Sequence, residues 1–192
     1  KTDGIVVGPG LGVCEETEAV LRSLWETFER PMVWDADALT VLSRNRDLQG
    51  RQRADIVVTP HPGEMARLLD RSTRWVQEHR VEAARGLSES WGVVTVLKGS
   101  RTLITDPKGT LRLNLTGNPG MASGGMGDVL TGMIGALLLQ GFNALDAASF
   151  GVWLHGSAGD AVAASSGPLG FLASEVMRIL PRVLGNGMVP SP

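Results

Sequence analysis

Short, unbroken apolar runs alternate along this chain with longer stretches in which apolar residues return every third or fourth position. Gly4-Ile-Val-Val-Gly8, Met32-Val-Trp34, Asp55-Ile-Val-Val58 and Val93-Val-Thr-Val-Leu97 are the runs. They lack the apolar–polar alternation of a half-exposed sheet, so they predict strands covered on both faces, as parallel sheets are. Between the first two, Val20, Leu21, Leu24, Trp25 and Phe28 mark one face of a helix predicted over 15–29, with acids in its first turn where the helix dipole favours them. A helix ending at Leu69 follows Thr59-Pro-His-Pro-Gly-Glu64, and the stretch 73–90 predicts another. Residues 102–105 and 110–113 flank Asp106-Pro-Lys-Gly109, whose turn-forming residues predict a hairpin. The last third reads as helical over 126–140, 144–165 and 173–184, with 185–192 expected to fray. Strands alternating with helices predict an α/β fold: a mostly parallel central sheet covered by helices on both faces, in one domain over 1–192.

Composition changes this picture little. With 192 residues and 43% apolar content the chain can build one sizeable core. A net charge of −2 offers no basic footprint for nucleic acid. The longest apolar segment, Val129 to Leu139, is too short to span a bilayer, so no membrane partner is expected. The single cysteine, Cys14, rules out an internal disulfide and suits a reducing, cytoplasmic setting; it reads as a small buried or half-buried residue. Trp25, Trp34, Trp75 and Trp91 read as core or half-buried residues. The chain opens almost directly on a strand, which reads as a piece of something longer.

Glycine is the exception, at 25 residues about twice ordinary usage. Seven glycines fall between Gly117 and Gly135, in a loop that delivers Asp128 to the start of an apolar helix. Backbone N–H groups without neighbouring side chains, together with a helix N-terminus, form a natural phosphate cradle. A tightly packed helix entry that binds nothing is the plainer alternative, but it leaves Asn114, Thr116 and Asn118 unexplained. In open α/β sheets ligands bind beyond the carboxyl ends of the strands. Five suspect segments lie at such ends: Gly8 to Gly12, Asp35/Asp37, His61 to Glu64, Lys98 to Thr102 and the 114–128 loop.

Each has a structural reading too. Asp35 or Asp37 can serve as a helix cap, with Asp37 the structural one and Asp35 near the ligand. Glu64 reads as a first-turn acid, Lys98 as a solvated strand end or a ligand contact. His61 sits in a rigid loop, as a contact or as packing. His79 reads as solvent-facing, and His155 with Trp153 and Asp160 as packing or a partner face. The three histidines form no metal-ligand pattern, so no metal site is expected among the side chains.

Together these segments resemble the ADP/ATP-dependent NAD(P)H-hydrate dehydratase family, whose fold is ribokinase-like. The matching stretches are 6–12 (VVGPGLG), 35–39 (DADAL), 59–64 (TPHPGE), 96–99 (VLKG) and 116–130 (TGNPGMASGGMGDVL), in the family's order and across nearly the whole chain. Two features depart from the family. Met126 stands where a hydroxyl usually lies near the phosphates, and the family's N-terminal portion of the domain has no counterpart in these residues, so the chain is expected to be a fragment or a trimmed member.

The resemblance implies a substrate, the 6-hydroxylated form of NADH or NADPH, and a nucleotide co-substrate, ADP or ATP, accompanied by Mg²⁺. It implies Asp128 as the base on the substrate hydroxyl, with Gly10, Gly12, His61 and Asn118 beside the hydrate. It also implies Lys98, Gly99, Ser100, Arg101, Thr102, Gly124, Gly125 and Gly127 around the nucleotide. A homo-oligomer is expected, its subunits packed through the Gly/Ala-rich helices, with possible fusion to or partnership with an NAD(P)H-hydrate epimerase. The alternatives are a ribokinase-like kinase for a vitamin precursor, or a non-catalytic nucleotide-binding fragment.

Overall fold

The computed structural model describes residues 2–52 and 55–188. Four parallel strands come first: β1 (Ile5–Val7), β2 (Met32–Trp34), β3 (Ile56–Val58) and β4 (Val94–Leu97). The hairpin β5 (Leu103–Thr105) and β6 (Leu111–Leu113) then adds antiparallel to β4, giving the sheet order β1-β2-β3-β4-β5-β6. The connecting helices are α1 (Glu15–Thr27), α2 (Ala36–Arg44), α3 (Pro62–Leu69), α4 (Thr73–Glu78) and α5 (Arg80–Trp91). After the hairpin follow α6 (Met126–Leu139), α7 (Ala144–Ser166) and α8 (Ala173–Met188).

Successive strand residues point to opposite sides of the sheet. Met32 and Trp34 therefore face α1, α2, α3 and α5, where Trp25, Trp34 and Trp91 are buried and meet edge to face at 5.0 and 5.6 Å. Val33 faces the other way, joining Val57, Val96 and Ile104 against Ile134 of α6 and Ala147, Ala148 and Val152 of α7. The unbroken apolar runs of β2, β3 and β4 thus reflect a sheet covered on both sides, whereas the edge strand β1, expected to be buried, leaves Val6 44% exposed. Among the described residues no helix is long and apolar enough to cross a membrane.

Three expectations need correction. The helix expected over 73–90 is broken at His79, whose φ and ψ (−126°, 41°) are not helical. The break turns Arg80 inward, where its guanidinium donates to the carbonyls of Leu97 (3.2 Å) and Lys98 (3.4 Å). Cys14 is exposed, because it stands at the N-cap of α1 and not on its buried face. The C-terminal helix continues to Met188 through Pro181, past the point where fraying was expected; 189–192 lie outside the described residues. Three glycines of α7 make close contacts inside the molecule. Gly151 receives Ile134, Gly156 the chain at Thr116–Gly117, and Gly159 the side chain of Met121.

Candidate functional site

Because β1 to β4 run parallel, their carboxyl ends share one edge, and the loops that leave them meet there. Gly8 brings two of these ends together. Its φ of +124° disfavours any L side chain, and a Cβ would press onto the backbone of Asp35. Asp35 follows β2 and is 2% exposed. Ala36 after it holds φ +48°, an αL conformation that non-glycine residues adopt only when their surroundings enforce it.

Lys98 leaves β4 and donates from Nζ to Asp35 Oδ1 at 2.7 Å, with Glu64 Oε2 3.9 Å away. Thr131 Oγ1, from the second turn of α6, lies 3.0 Å from Asp35 Oδ2 and 2.7 Å from Gly127 O, two acceptors for its one proton. A Cβ on Gly127 would lie 3.3 Å from Asp35 Oδ2 and 3.5 Å from Lys98 Nζ, so this charged pair sits directly against the first turn of α6. That helix has no side-chain cap. Val129 N–H bonds Gly125 O at 3.1 Å, while the amides of Met126, Gly127 and Asp128 start the helix with their positive dipole end and an ammonium nearby. An anion is the natural occupant of such a place.

A cavity of about 660 Å³ opens from this point. The loop Lys98 to Thr102 forms one wall and the stretch Asn114 to Asn118 another, with Met126, Gly127 and Leu130 of α6 and Val152, His155 and Gly156 of α7 behind them. Its volume suits a nucleotide-sized ligand and far exceeds a lone phosphate. The polar residues of its second wall shape the loop. Asn114 Nδ2 donates to Thr116 O (3.0 Å), and Thr116 Oγ1 lies within 3.0 Å of both Asn114 Oδ1 and Trp153 O. Asp160 accepts from Gly117 N–H (2.8 Å) and Asn118 Nδ2 (2.9 Å). Asn118 Oδ1 in turn caps Gly120 N–H at 3.0 Å. Loop shaping therefore accounts for Asn114, Thr116 and Asn118 without a ligand.

The cavity gathers Lys98, Gly99, Ser100, Arg101, Thr102, Asn118 and Gly127 of the expected site. It leaves Gly10, Gly12, His61, Gly124, Gly125 and Asp128 outside its lining. Gly12 N–H donates to Asp37 Oδ2 at 2.8 Å, which gives Asp37 its structural role. His61 Nδ1 accepts from the amides of Gly63 (2.9 Å) and Glu64 (3.3 Å), capping α3. Glu64 closes the box by accepting from His61 N–H at 2.7 Å, as a first-turn acid should. Asp128 is exposed at the third position of α6. Lys98 is no solvated strand end, its side chain being 20% exposed and paired.

Met126 corrects a further expectation. It is 5% exposed and packs with Ala158, Val162, Phe171 and Val176, so its side chain belongs to an apolar cluster rather than to the phosphate site. His155 and Asp160 were not singled out as site residues by sequence. His155 is 8% exposed, its Nε2 has no hydrogen-bond partner, and burial lowers its pKa to about 4. The signal lay in two polar groups set on the small-residue face of α7.

The family model for NAD(P)H-hydrate dehydratase matches residues 1–182, and the chain belongs to that family. Its architecture is ribokinase-like. The chain is 42% identical over 186 residues to the bifunctional NAD(P)H-hydrate repair enzyme of Moorella thermoacetica, covering 97% of this chain and 35% of that one. It is 42% identical over 175 residues to the ADP-dependent (S)-NAD(P)H-hydrate dehydratase of Neisseria meningitidis, covering 89% of this chain and 59% of the relative. The crystal structure of the ADP/ATP-dependent NAD(P)H-hydrate dehydratase of Bacillus subtilis, co-crystallised with ATP/Mg²⁺, superposes with a TM-score of 0.85 at 33% identity. That match covers 96% of this chain and 64% of the other. The chain thus spans about a third of the bifunctional relative and under two thirds of the other two proteins.

Proposed function

We propose that this chain dehydrates the 6S hydrate of NADH or NADPH back to the dihydronicotinamide, using ADP or ATP. One observation carries the reading: the cavity ends at the uncapped start of α6, with Lys98 beside it and Asp128 one residue beyond Gly127. The nucleotide's phosphates lie against the first-turn amides and the Lys98 ammonium, and its nucleoside occupies the cavity. The substrate's hydroxyl oxygen attacks the terminal phosphorus while Asp128 takes its proton, and the P–O bond to the departing nucleotide breaks. The amides of Gly124, Gly125 and Gly127 and the dipole of α6 offset the charge that develops on the phosphoryl oxygens. Phosphate then leaves with its C–O bond electrons as the adjacent ring carbon gives up a proton to solvent, which restores the double bond. The hydrate itself lies outside the cavity, on the side of Gly10, Gly12 and His61.

Among the described residues no three His, Cys, Asp or Glu side chains gather into a metal cluster. Mg²⁺ fits here as a companion of the nucleotide, held by phosphate oxygens and water, and supplies charge neutralisation there. A hydrate epimerase as a fused or separate companion, in keeping with relatives named as bifunctional repair enzymes, and a cytoplasmic setting complete this reading. Exposed Leu113, Leu115 and Trp153 support a homo-oligomer.

The test is incubation of the full chain with NADH hydrate and either ADP or ATP, following absorbance at the dihydronicotinamide band. Recovery that requires nucleotide and releases phosphate is the expected result. A phosphorylated product that persists in solution would point to a small-molecule kinase. Nucleotide binding with no turnover would leave a binding module.

A further inference from the structure

The loop Lys98 to Thr102 walls the cavity, and a residue outside the cavity fastens it from behind. Arg80, at the start of α5, donates from Nη2 to Leu97 O at 3.2 Å and to Lys98 O at 3.4 Å. Its Nη1 lies 3.5 Å from Lys98 O and 3.3 Å from Gln77 Oε1. Gly99 makes room for the guanidinium: its φ is +129°, and a Cβ there would lie 3.3 Å from Arg80 Nη1. Resting on the nucleotide reading above, we infer that Arg80 is a positioning residue for the nucleotide's phosphates, holding the Lys98–Gly99 peptide so that the Gly99 N–H is presented to them.

The peptide's own geometry carries the step from Arg80 to the ligand. In a planar trans peptide the C=O and the N–H point in opposite directions, and no peptide among the described residues is cis. A guanidinium fastened to Lys98 O therefore turns the Gly99 N–H away from itself, toward the cavity that Gly99 lines. Among the described residues no protein acceptor takes that N–H, which leaves it for a ligand. The rest of the loop is set around it, with Thr102 Oγ1 donating to Gly99 O at 2.9 Å and Arg101 held at φ +56°. Arg80 is itself aimed by the break at His79. The His79 ring stacks on Trp75 at 4.9 Å and 12°, and its Nδ1 lies 3.0 Å from Trp75 O. Burial lowers the Arg80 pKa, yet a guanidinium stays cationic in a protein. Drawing that cation partly out of water onto main-chain carbonyls costs free energy, and the geometry it secures is this one peptide.

The experiment compares ADP with pyrophosphate, which carries phosphates and no nucleoside. Binding of each is measured by calorimetry on the full chain, its Arg80→Met variant and its Arg80→Lys variant, with a melt on each preparation. Met keeps the apolar stem and removes every donor, while Lys restores one that can reach a carbonyl. Arg80→Met should weaken ADP and pyrophosphate by the same factor, about 5–50-fold, the range of one charge-assisted hydrogen bond partly lost. Arg80→Lys should recover part of the loss. An arginine that serves only the fold would lower the melting temperature and leave the affinity of the folded protein unchanged.

In the unaltered protein, the Gly99 amide NMR signal should move on adding ADP and on adding pyrophosphate, whichever variants fold. Affinities within about twofold in Arg80→Met, a loss confined to ADP, or a Gly99 amide that ignores bound ADP would each overturn the assignment. An unaltered chain that binds neither ADP nor ATP would instead overturn the nucleotide reading, and this one with it.

Discussion

Removing the Lys98 ammonium should expose how tightly the site's two charges depend on each other. Asp35 is 2% exposed, so its carboxylate has lost nearly all its water and relies on Lys98 Nζ at 2.7 Å and Thr131 Oγ1 at 3.0 Å. Breaking a buried pair by deleting one partner typically costs about 3–5 kcal/mol, because the other charge is stranded. Here the Thr131 hydroxyl stays within 3.0 Å of Asp35, and the Lys98 side chain is 20% open to solvent. Both facts lower the expectation for Lys98→Met to about 2–4 kcal/mol. Asp35→Asn should cost less, about 1–3 kcal/mol, since Lys98 retains Glu64 at 3.9 Å. The double variant removes both members of the close pair and leaves Glu64 its contacts with His61, so its loss should fall short of the sum by at least about 1 kcal/mol. Urea denaturation of the four proteins supplies the cycle, and the coupling should change little between low and moderate salt, as expected of a pair shielded from solvent. Additivity within about 0.5 kcal/mol would refute the reasoning and make the contact incidental.

Three further outcomes follow from single residues. Burial holds the folded pKa of His155 near 4 against an ordinary 6.5, so above pH 6.5 the ring is neutral folded or unfolded and has no effect. As pH falls from 6.5 to 4 the unfolded chain binds a proton that the folded one refuses, and stability drops by up to about 3 kcal/mol. His155→Phe should flatten that part of the pH–stability curve, and an unchanged curve would contradict the burial. Met126→Thr should lower stability by about 2–4 kcal/mol in a thermal melt, through lost packing and a buried hydroxyl, and an unchanged melting temperature would return Met126 to the phosphate site. Gly156→Ala should weaken ADP binding measurably, since its Cβ would displace backbone at Thr116 and Gly117 on the cavity wall; equal affinity would mean the loop can yield.

The strands were legible because runs such as Ile5–Val7 and Ile56–Val58 have no polar face to hide. The converging edge followed from parallel topology alone. What escaped the sequence was contact between distant positions. Asp35 meets Lys98 across 63 residues and Thr131 across 96, and no local pattern announces either. Asp160 and His155 were hidden for another reason: on a helix of small residues they resemble ordinary packing until the loop they face is in place. Met126 was misjudged from its neighbours in a glycine loop, although its side chain turns back into the core. His79 breaks a stretch whose charged composition gave periodicity little to report.

The proposed mechanism turns on Asp128 taking the proton of the substrate hydroxyl. An exposed first-turn acid steadies a helix by about 0.3–1 kcal/mol, and asparagine would keep much of its local hydrogen bonding. A general base is worth about 10²–10⁴ in rate, and an amide cannot replace it. The deciding measurement is kcat for NADH hydrate with saturating ADP, for Asp128→Asn beside the unaltered full chain, with a melt and an ADP titration on the same preparations. Folding should stay intact and ADP affinity near normal, while kcat falls by at least about a hundredfold. Turnover within a few-fold of the unaltered protein would remove Asp128 from the chemistry and leave the start of α6 as a phosphate cradle alone.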